Sequence, residues 1–294
     1  MENTLIIKTG AIGDVVRTTS LLNVIAGNIY WITDNASKPL FPGDIQGLNV
    51  WSLAEAFYIL KNIRFSRIIS LEEDGDCAEL AVSMKASHLT GIYANNGKIN
   101  YTDDSSPWFD MSKVSKLGIK KANELKKRNE LSYQHYIFQM AGEKFNGEPY
   151  RIFAKDGVNS RPGLIGIERR TGTQWPNKQW SGYDELIERL SENGFRIRTF
   201  EQRENIRDYL VDIAECYHIV SGDTLAMHIA LGYKKTCTAI FNCTSPQEIY
   251  DYGMVKKVVS PLLDKYFYSS SYDAEVIQSI SVDEVIGNIA LAVE

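Results

Sequence analysis

The chain reads as an α/β protein made of two successive doubly wound halves, and three observations predict this. Strand-length apolar runs alternate with segments of helical spacing through most of the 294 residues. A stretch rich in Gly, Pro and Asn, residues 149–162, interrupts the alternation, which then restarts. Each half also holds an apolar run that ends in a glycine-containing turn and passes into a helix, at residues 10–14 and 221–224.

In the first half, residues 4–8 are strand-like, and 14–26 have helical spacing with Val15, Thr18, Leu22 and Ile25 on one face. Residues 28–33 form a second strand, followed by turn-rich 34–42 and a short extended run at 48–51. A helix over 53–63, a strand over 67–71, a helix over 78–84 and a strand over 89–93 continue the pattern. Residues 95–113 are polar and read as a long loop, a feature that often carries function. Tyr133, Tyr136, Ile137 and Met140 give 132–141 one apolar helical face.

The second half repeats the scheme. Strands are expected at 164–167, 195–199, 217–220, 236–241 and 257–259, with helices at 183–192, 205–214 and 226–231. A helix over 281–293 closes the chain, with Ser281 as its cap and Glu284 at the capping-box position. The boundary gives two Rossmann-like domains, 1–154 and 155–294, expected to face each other across a ligand-binding cleft.

A hydrophobic content of 44% and a charged content of 23% are globular values. The net charge of −5 argues against a general nucleic-acid binder. Cys77, Cys216, Cys237 and Cys243 form no C-x-x-C pair and lie at no zinc-ligand spacing, so reduced thiols and no metal site are expected. With neither a signal-peptide pattern nor a run of eighteen apolar residues, the expected location is cytoplasmic. Lys116, Lys120, Lys121, Lys126, Lys127 and Arg128 form either a solvated helix face or a patch for peripheral membrane contact.

The turn Lys8-Thr9-Gly10-Ala11-Ile12-Gly13-Asp14 lies where ligands bind in an open α/β sheet. Its glycines permit sharp turning and close approach, and the amides of the helix start favour an anion. Neither a P-loop nor G-x-G-x-x-G is present, so a dinucleotide oxidoreductase is not supported. Asp14 is either a helix cap or a catalytic base.

Ser221-Gly222-Asp223-Thr224-Leu225 repeats this logic, with amides able to hold a diphosphate and Asp223 able to accept a sugar hydroxyl. Ser221 or Asp223 could equally be a simple cap, and His228 could be a packed core histidine. Arg169 and Arg170 follow a strand and carry forked donors suited to phosphate. Trp175 and Trp180 read as packing residues.

Three segments recur together in one known family: K-T-G-A-I-G-D-V-V-R-T at 8–18, the arginine–W-P–W stretch at 169–180, and S-G-D-T-L-A-M-H-I-A-L-G at 221–232 with Phe241 and Thr244-Ser245-Pro246 beyond. In order and spacing the chain resembles the ADP-heptose:lipopolysaccharide heptosyltransferases, glycosyltransferase family 9, over nearly its whole length.

The resemblance implies a GT-B fold with an N-terminal acceptor domain, a C-terminal donor domain, and a last helix packing back toward the first domain. It implies inversion at the anomeric carbon without an obligatory metal or cofactor, with Asp14 as general base. Thr9, Gly10, Ala11, Gly13 and Arg17 would form the acceptor-side loop. Arg169, Arg170, Thr173, Ser221, Asp223, Thr224, Leu225 and His228 would form the donor site, with Glu201 or Glu204 on the ribose. The expected donor is ADP-heptose and the acceptor a saccharide or other hydroxyl compound, free or lipid-linked. The chain departs from the family in three ways: Thr173 stands where a phosphate-binding lysine is usual, Leu225 replaces a glycine, and Gly10-Ala11 replace frequent hydroxyl residues. The alternatives are a different nucleotide-sugar donor and a nucleotide-binding module without catalysis.

Overall fold

The computed structural model describes residues 2–289, and the chain divides into two compact units, Met1–Phe153 and Ala154–Glu294. The division falls inside the expected linker for a physical reason. Residues just before it are strapped to the first unit: Pro149 accepts from Asn23 Nδ2 (2.7 Å), the Arg151 amide donates to Thr19 Oγ1 (3.0 Å), and the Phe153 amide donates to Leu40 O (2.6 Å).

The first unit contains strands β1 (Asn3–Ile7), β2 (Asn28–Ile32), β3 (Leu48–Trp51), β4 (Arg64–Ser70), β5 (Lys85–Asn95) and β6 (Lys98–Tyr101). They form a sheet in the order β3-β2-β1-β4-β5-β6, parallel except for the antiparallel β5–β6 pair. Its helices are α1 (Ile12–Thr18), α2 (Leu53–Ile59), α3 (Gly75–Ser83), α4 (Ser106–Phe109), α5 (Ile119–Lys127) and α6 (Tyr133–Met140). Leu5, Ile6 and Ile7 are fully buried, as expected of a central parallel strand covered on both faces. Leu5 and Ile7 join Ile32, Phe65, Ile68, Leu80 and Ala81 in one core.

The second unit has β7 (Arg161–Glu168), β8 (Arg196–Thr199), β9 (Cys216–Gly222), β10 (Thr236–Phe241) and β11 (Val255–Val259), all parallel, in the order β11-β10-β9-β7-β8. Its helices are α7 (Tyr183–Glu192), α8 (Ile206–Ala214), α9 (Leu225–Gly232), α10 (Leu263–Tyr266), α11 (Ala274–Ile277) and α12 (Val282–Gly287). Ile165, Ile167, Leu186, Leu190, Val220 and Val285 share the core. Ser281 caps α12 by accepting from the Glu284 amide. Val282 and Val285 bury α12 in the core of its own unit. Residues 290–293 of the expected last helix lie outside the described residues.

Both sheets contain a switch point. From β1 the chain builds outward through β2 and β3, then crosses to β4 on the other side; from β7 it goes to β8, then crosses to β9. The carboxyl ends of β1 and β4, and of β7 and β9, therefore flank the crevices where ligands bind in such sheets.

Three expectations need correction. The helix expected over 14–26 is α1 followed by a 3-10 turn, Thr19–Asn23. Hydroxyls of Thr18, Thr19 and Ser20 donate back to the carbonyls of Asp14, Val16 and Arg17, competing with the regular ladder. The long loop expected over 95–113 is instead the β5–β6 hairpin, a 3-10 turn and α4. Asn96 (φ 50°) and Gly97 (φ 72°) make its turn, since Asn-Gly tolerates the two positive φ values that a tight hairpin needs. α3 also starts earlier than expected, because Asp74 accepts from the Asp76 and Cys77 amides.

Candidate functional site

In the first unit, the turn after β1 is built around a carboxylate that the sequence reading did not single out. Glu72, just past the end of β4, accepts at Oε2 from Lys8 Nζ (2.9 Å), the Thr9 amide (3.1 Å) and the Gly10 amide (2.7 Å). The loop amides that lead into α1 thus already hold an internal anion, while the start of α1 itself has no side-chain cap among the described residues. Burial would raise the Glu72 carboxyl, but Lys8 and the two amides outweigh it and hold the group below its usual range. Burial likewise opposes the Lys8 ammonium, yet Asp14 and Glu72 keep its pKa above the ordinary lysine value. The next residue, Glu73, is pushed the other way, chiefly by burial.

Asp14 is not the helix cap. The N-cap of α1 is Ala11, and Asp14 is the third residue of the helix. Its Oδ1 pairs with Arg17 one turn on (2.8 Å), and the Arg17 guanidinium lies 3.9 Å from the centre of the Tyr133 ring. The Tyr133 hydroxyl in turn meets Thr18 Oγ1 at 2.9 Å. The buried Arg17 and Tyr133 therefore hold a third-exposed Asp14 on the first turn of α1. The sharp turn is also placed differently from expectation. Positive φ falls on Ala11 (φ 42°, ψ 99°), not on Gly10, whose amide donates to the Glu72 carboxylate.

In the second unit, Ser221, Gly222, Asp223 and Thr224 form the turn from β9 into α9. The Ser221 and Thr224 hydroxyls meet at 2.7 Å. Thr224 is the N-cap, and no side-chain hydrogen bond caps this helix start among the described residues. Leu225 is the first helical residue and has no positive φ, so its place in the turn needs no glycine. Asp223 is not a cap: its Oδ2 accepts from Lys178 Nζ (2.9 Å), which also donates to the Asp223 carbonyl (2.7 Å). His228 Nε2 stands 3.9 Å from Asp223 Oδ1. Burial would raise the Asp223 carboxyl; Lys178 and His228 outweigh it and hold the group well below the carboxylate range.

Arg170 and Arg169 diverge. Arg170 clamps Glu168 at the end of β7, donating from its amide (2.8 Å), Nε (2.9 Å) and Nη2 (2.6 Å). Glu168 also accepts from Tyr209 Oη (2.5 Å). Arg169 pairs at the surface with Asp184 (2.8 Å). Thr173 is exposed in the loop beyond, and Glu201 and Glu204 are both exposed after β8. Trp180 is buried and donates to the Ile280 carbonyl, while Trp175 lies edge-on to Tyr268, in keeping with packing roles.

Glu72 and Lys178 carry both turns, and each had only a weak local signal. Glu72 directly follows an apolar strand, and Lys178 sits on a 3-10 turn, Pro176–Lys178, beside the Trp-Pro pair. All four cysteines are free and buried, and no cluster of metal-binding side chains occurs among the described residues. No described helix is long and apolar enough to cross a membrane.

By sequence the chain matches no family model and no curated protein. By structure it matches solved proteins over almost its full length. The glycosyl transferase family 9 protein from Veillonella parvula superposes with a TM-score of 0.65 at 14% identity, covering 98% of this chain and 95% of that one. The E. coli ADP-heptose lps heptosyltransferase II gives a TM-score of 0.68 at 14% identity, covering 98% and 97%. E. coli heptosyltransferase WaaC with ADP-2-deoxy-2-fluoro heptose gives 0.57 at 13% identity, covering 97% and 98%. The fold is that of the GT-B glycosyltransferases. Within that class, the chain resembles the family 9 heptosyltransferase structures from end to end.

Proposed function

We propose that this protein is an inverting glycosyltransferase that binds a nucleoside diphosphate sugar, ADP-heptose first among candidates, in its second unit. One contrast carries the assignment of the donor to that unit. Among the described residues both helix starts lack a side-chain cap, but the turn into α1 already holds the Glu72 carboxylate on its Thr9 and Gly10 amides, whereas Asp223 in the turn into α9 is turned to Lys178. An uncapped helix start at a sheet switch point suits a diphosphate, which accepts from several amides at once. Lys178 cancels the charge of Asp223 beside it, so the turn does not repel an anion.

In the proposed reaction Asp14 accepts the proton of an acceptor hydroxyl. The oxygen attacks the anomeric carbon from the face opposite the diphosphate. The carbon–oxygen bond to the diphosphate breaks, and the nucleoside diphosphate departs with the electron pair. The amides at Leu225 and Ala226, rather than an obligatory metal, receive the growing negative charge, a term that is large when donors are preorganised. The acceptor is a saccharide hydroxyl approaching the Gly13–Asp14–Arg17 side of the first unit.

Calorimetric titration with ADP-heptose, ADP-mannose, UDP-glucose and GDP-mannose, with ADP as reference, tests the donor. Selective ADP-heptose binding supports the reading, and tighter binding of another donor replaces the heptosyl assignment. With a working donor, Asp14→Asn should lower turnover by roughly 10²–10⁴-fold while leaving donor affinity intact. Unchanged turnover with an unchanged pH profile removes Asp14 from the role of base. Donor binding without transfer to any acceptor leaves a nucleotide-binding module.

A further inference from the structure

The segment around α5 has a composition unlike the rest of the molecule. Residues 113–131 carry seven basic side chains against two acidic ones, in a chain whose net charge is −5. The same short stretch holds three exposed large apolar residues, Leu117 (51%), Ile119 (60%) and Leu131 (46%). Apolar side chains exposed close together leave surface that a partner can remove from water, and a basic rim marks such a surface for an anionic partner.

The anchoring of the segment determines which side chains stay outside. Ala122 is the one buried residue of α5. Lys116, itself exposed, ties the segment to Tyr101, donating from Nζ to its carbonyl (2.8 Å) and lying over its ring. Lys126 lies over the Trp108 ring. Lys120, Lys121, Lys127 and Arg128 remain exposed, with Lys121 bridged to Glu124 at 3.2 Å. Gly118, at φ 83°, turns the chain into the helix, so that residues 116–121 form an unbroken exposed run, Lys-Leu-Gly-Ile-Lys-Lys. Two apolar side chains thus project between lysines.

We propose that the 116–131 segment is a docking surface for an anionic lipid bilayer, with Leu117 and Ile119 entering the interface and the flanking basic residues meeting lipid phosphates. Charge complementarity selects this partner: seven basic against two acidic side chains in 113–131 attract this segment to a negative surface although the whole chain is acidic. The apolar pair favours a bilayer over a purely polar polyanion, because insertion removes exposed Leu and Ile surface from water. The proposal does not depend on the transferase reading, since docking and donor binding are measured separately.

Co-sedimentation of the full chain with extruded vesicles tests it. The wild type is expected to pellet with vesicles of phosphatidylcholine and phosphatidylglycerol in equal parts, not with phosphatidylcholine alone, and to be released by salt. Lys120→Glu with Lys121→Glu should weaken binding by roughly tenfold or more, and Lys127→Glu with Arg128→Glu should act in the same direction. Leu117→Ser with Ile119→Ser should weaken binding several-fold while leaving its salt dependence in place. These positions are exposed, so melting temperatures should stay at the wild-type value. Failure to bind the anionic vesicles, binding at the wild-type level by both charge-reversed variants, or displacement from vesicles by single-stranded DNA at lower concentration than lipid would each overturn the proposal.

Discussion

Lys178 grips Asp223 twice, through the carboxylate Oδ2 at 2.9 Å and the main-chain oxygen at 2.7 Å. One ammonium thus fixes both the side chain and the backbone of the turn that opens α9. Both side chains are mostly buried, so water does little to replace the contact. Lys178→Met should destabilise the protein by about 3 kcal/mol, because it strands a buried carboxylate. It should also weaken nucleotide binding, because the turn loses its brace and gains net negative charge. Denaturant unfolding and ADP titration measure the two effects. Wild-type values in both would show that the contact does not organise the turn.

The Glu72 carboxylate does a similar job in the first unit. Glu72→Gln leaves Lys8 buried beside a neutral amide and offers the Thr9 and Gly10 amides a weaker acceptor. A loss of about 3 kcal/mol is expected. The carboxyl is held below its unfolded value, so its contribution is present above that value and lost as pH falls through the lower folded one. Stability of the wild type and of Glu72→Gln should therefore begin to converge as pH falls below the ordinary glutamate value of about 4.3 and meet only below the lower folded value. A constant difference down to the acid limit would contradict the assignment.

Ala11 carries the positive φ of the β1–α1 turn, a conformation unfavourable for a residue with Cβ. Ala11→Gly should raise stability by about 1 kcal/mol, the relieved strain exceeding the added freedom of the unfolded chain. Thermal unfolding checks this. A loss of stability would mean that the Ala11 methyl packs favourably enough to offset its backbone.

His218 on β9 is buried, with Nδ1 2.9 Å from Thr236 Oγ1 and Nε2 3.0 Å from Thr238 Oγ1. Burial brings its pKa down to about 4, below the usual histidine value. The unfolded chain therefore binds this proton more readily, and stability should fall as pH drops from about 6.5 toward 4. The loss attributable to this group is about 3 kcal/mol. His218→Gln should flatten that part of the stability–pH curve. An identical slope in the variant would place the acid sensitivity elsewhere.

The alternation of elements, the two glycine turns and Asp14, Asp223 and Thr224 were readable because strand, turn and helix start are contiguous in sequence. The I′ hairpin was readable too, from Asn96-Gly97, but the polar run around it masked the signal. Other features depend on strand order. Glu72 reaches the Thr9 and Gly10 amides because β4 lies beside β1, and Lys178 reaches Asp223 because β7 and β9 are neighbours. By itself the sequence determined the element types, the approximate place of the division and the two turns at the ends of β1 and β9. Only the tertiary structure decided that one turn holds its own anion, that the other is braced by a lysine, and that Asp14 pairs with Arg17 rather than capping its helix. Local periodicity and turn chemistry act over a few residues, whereas a switch point in a parallel sheet joins groups more than forty residues apart, and no local pattern records that order.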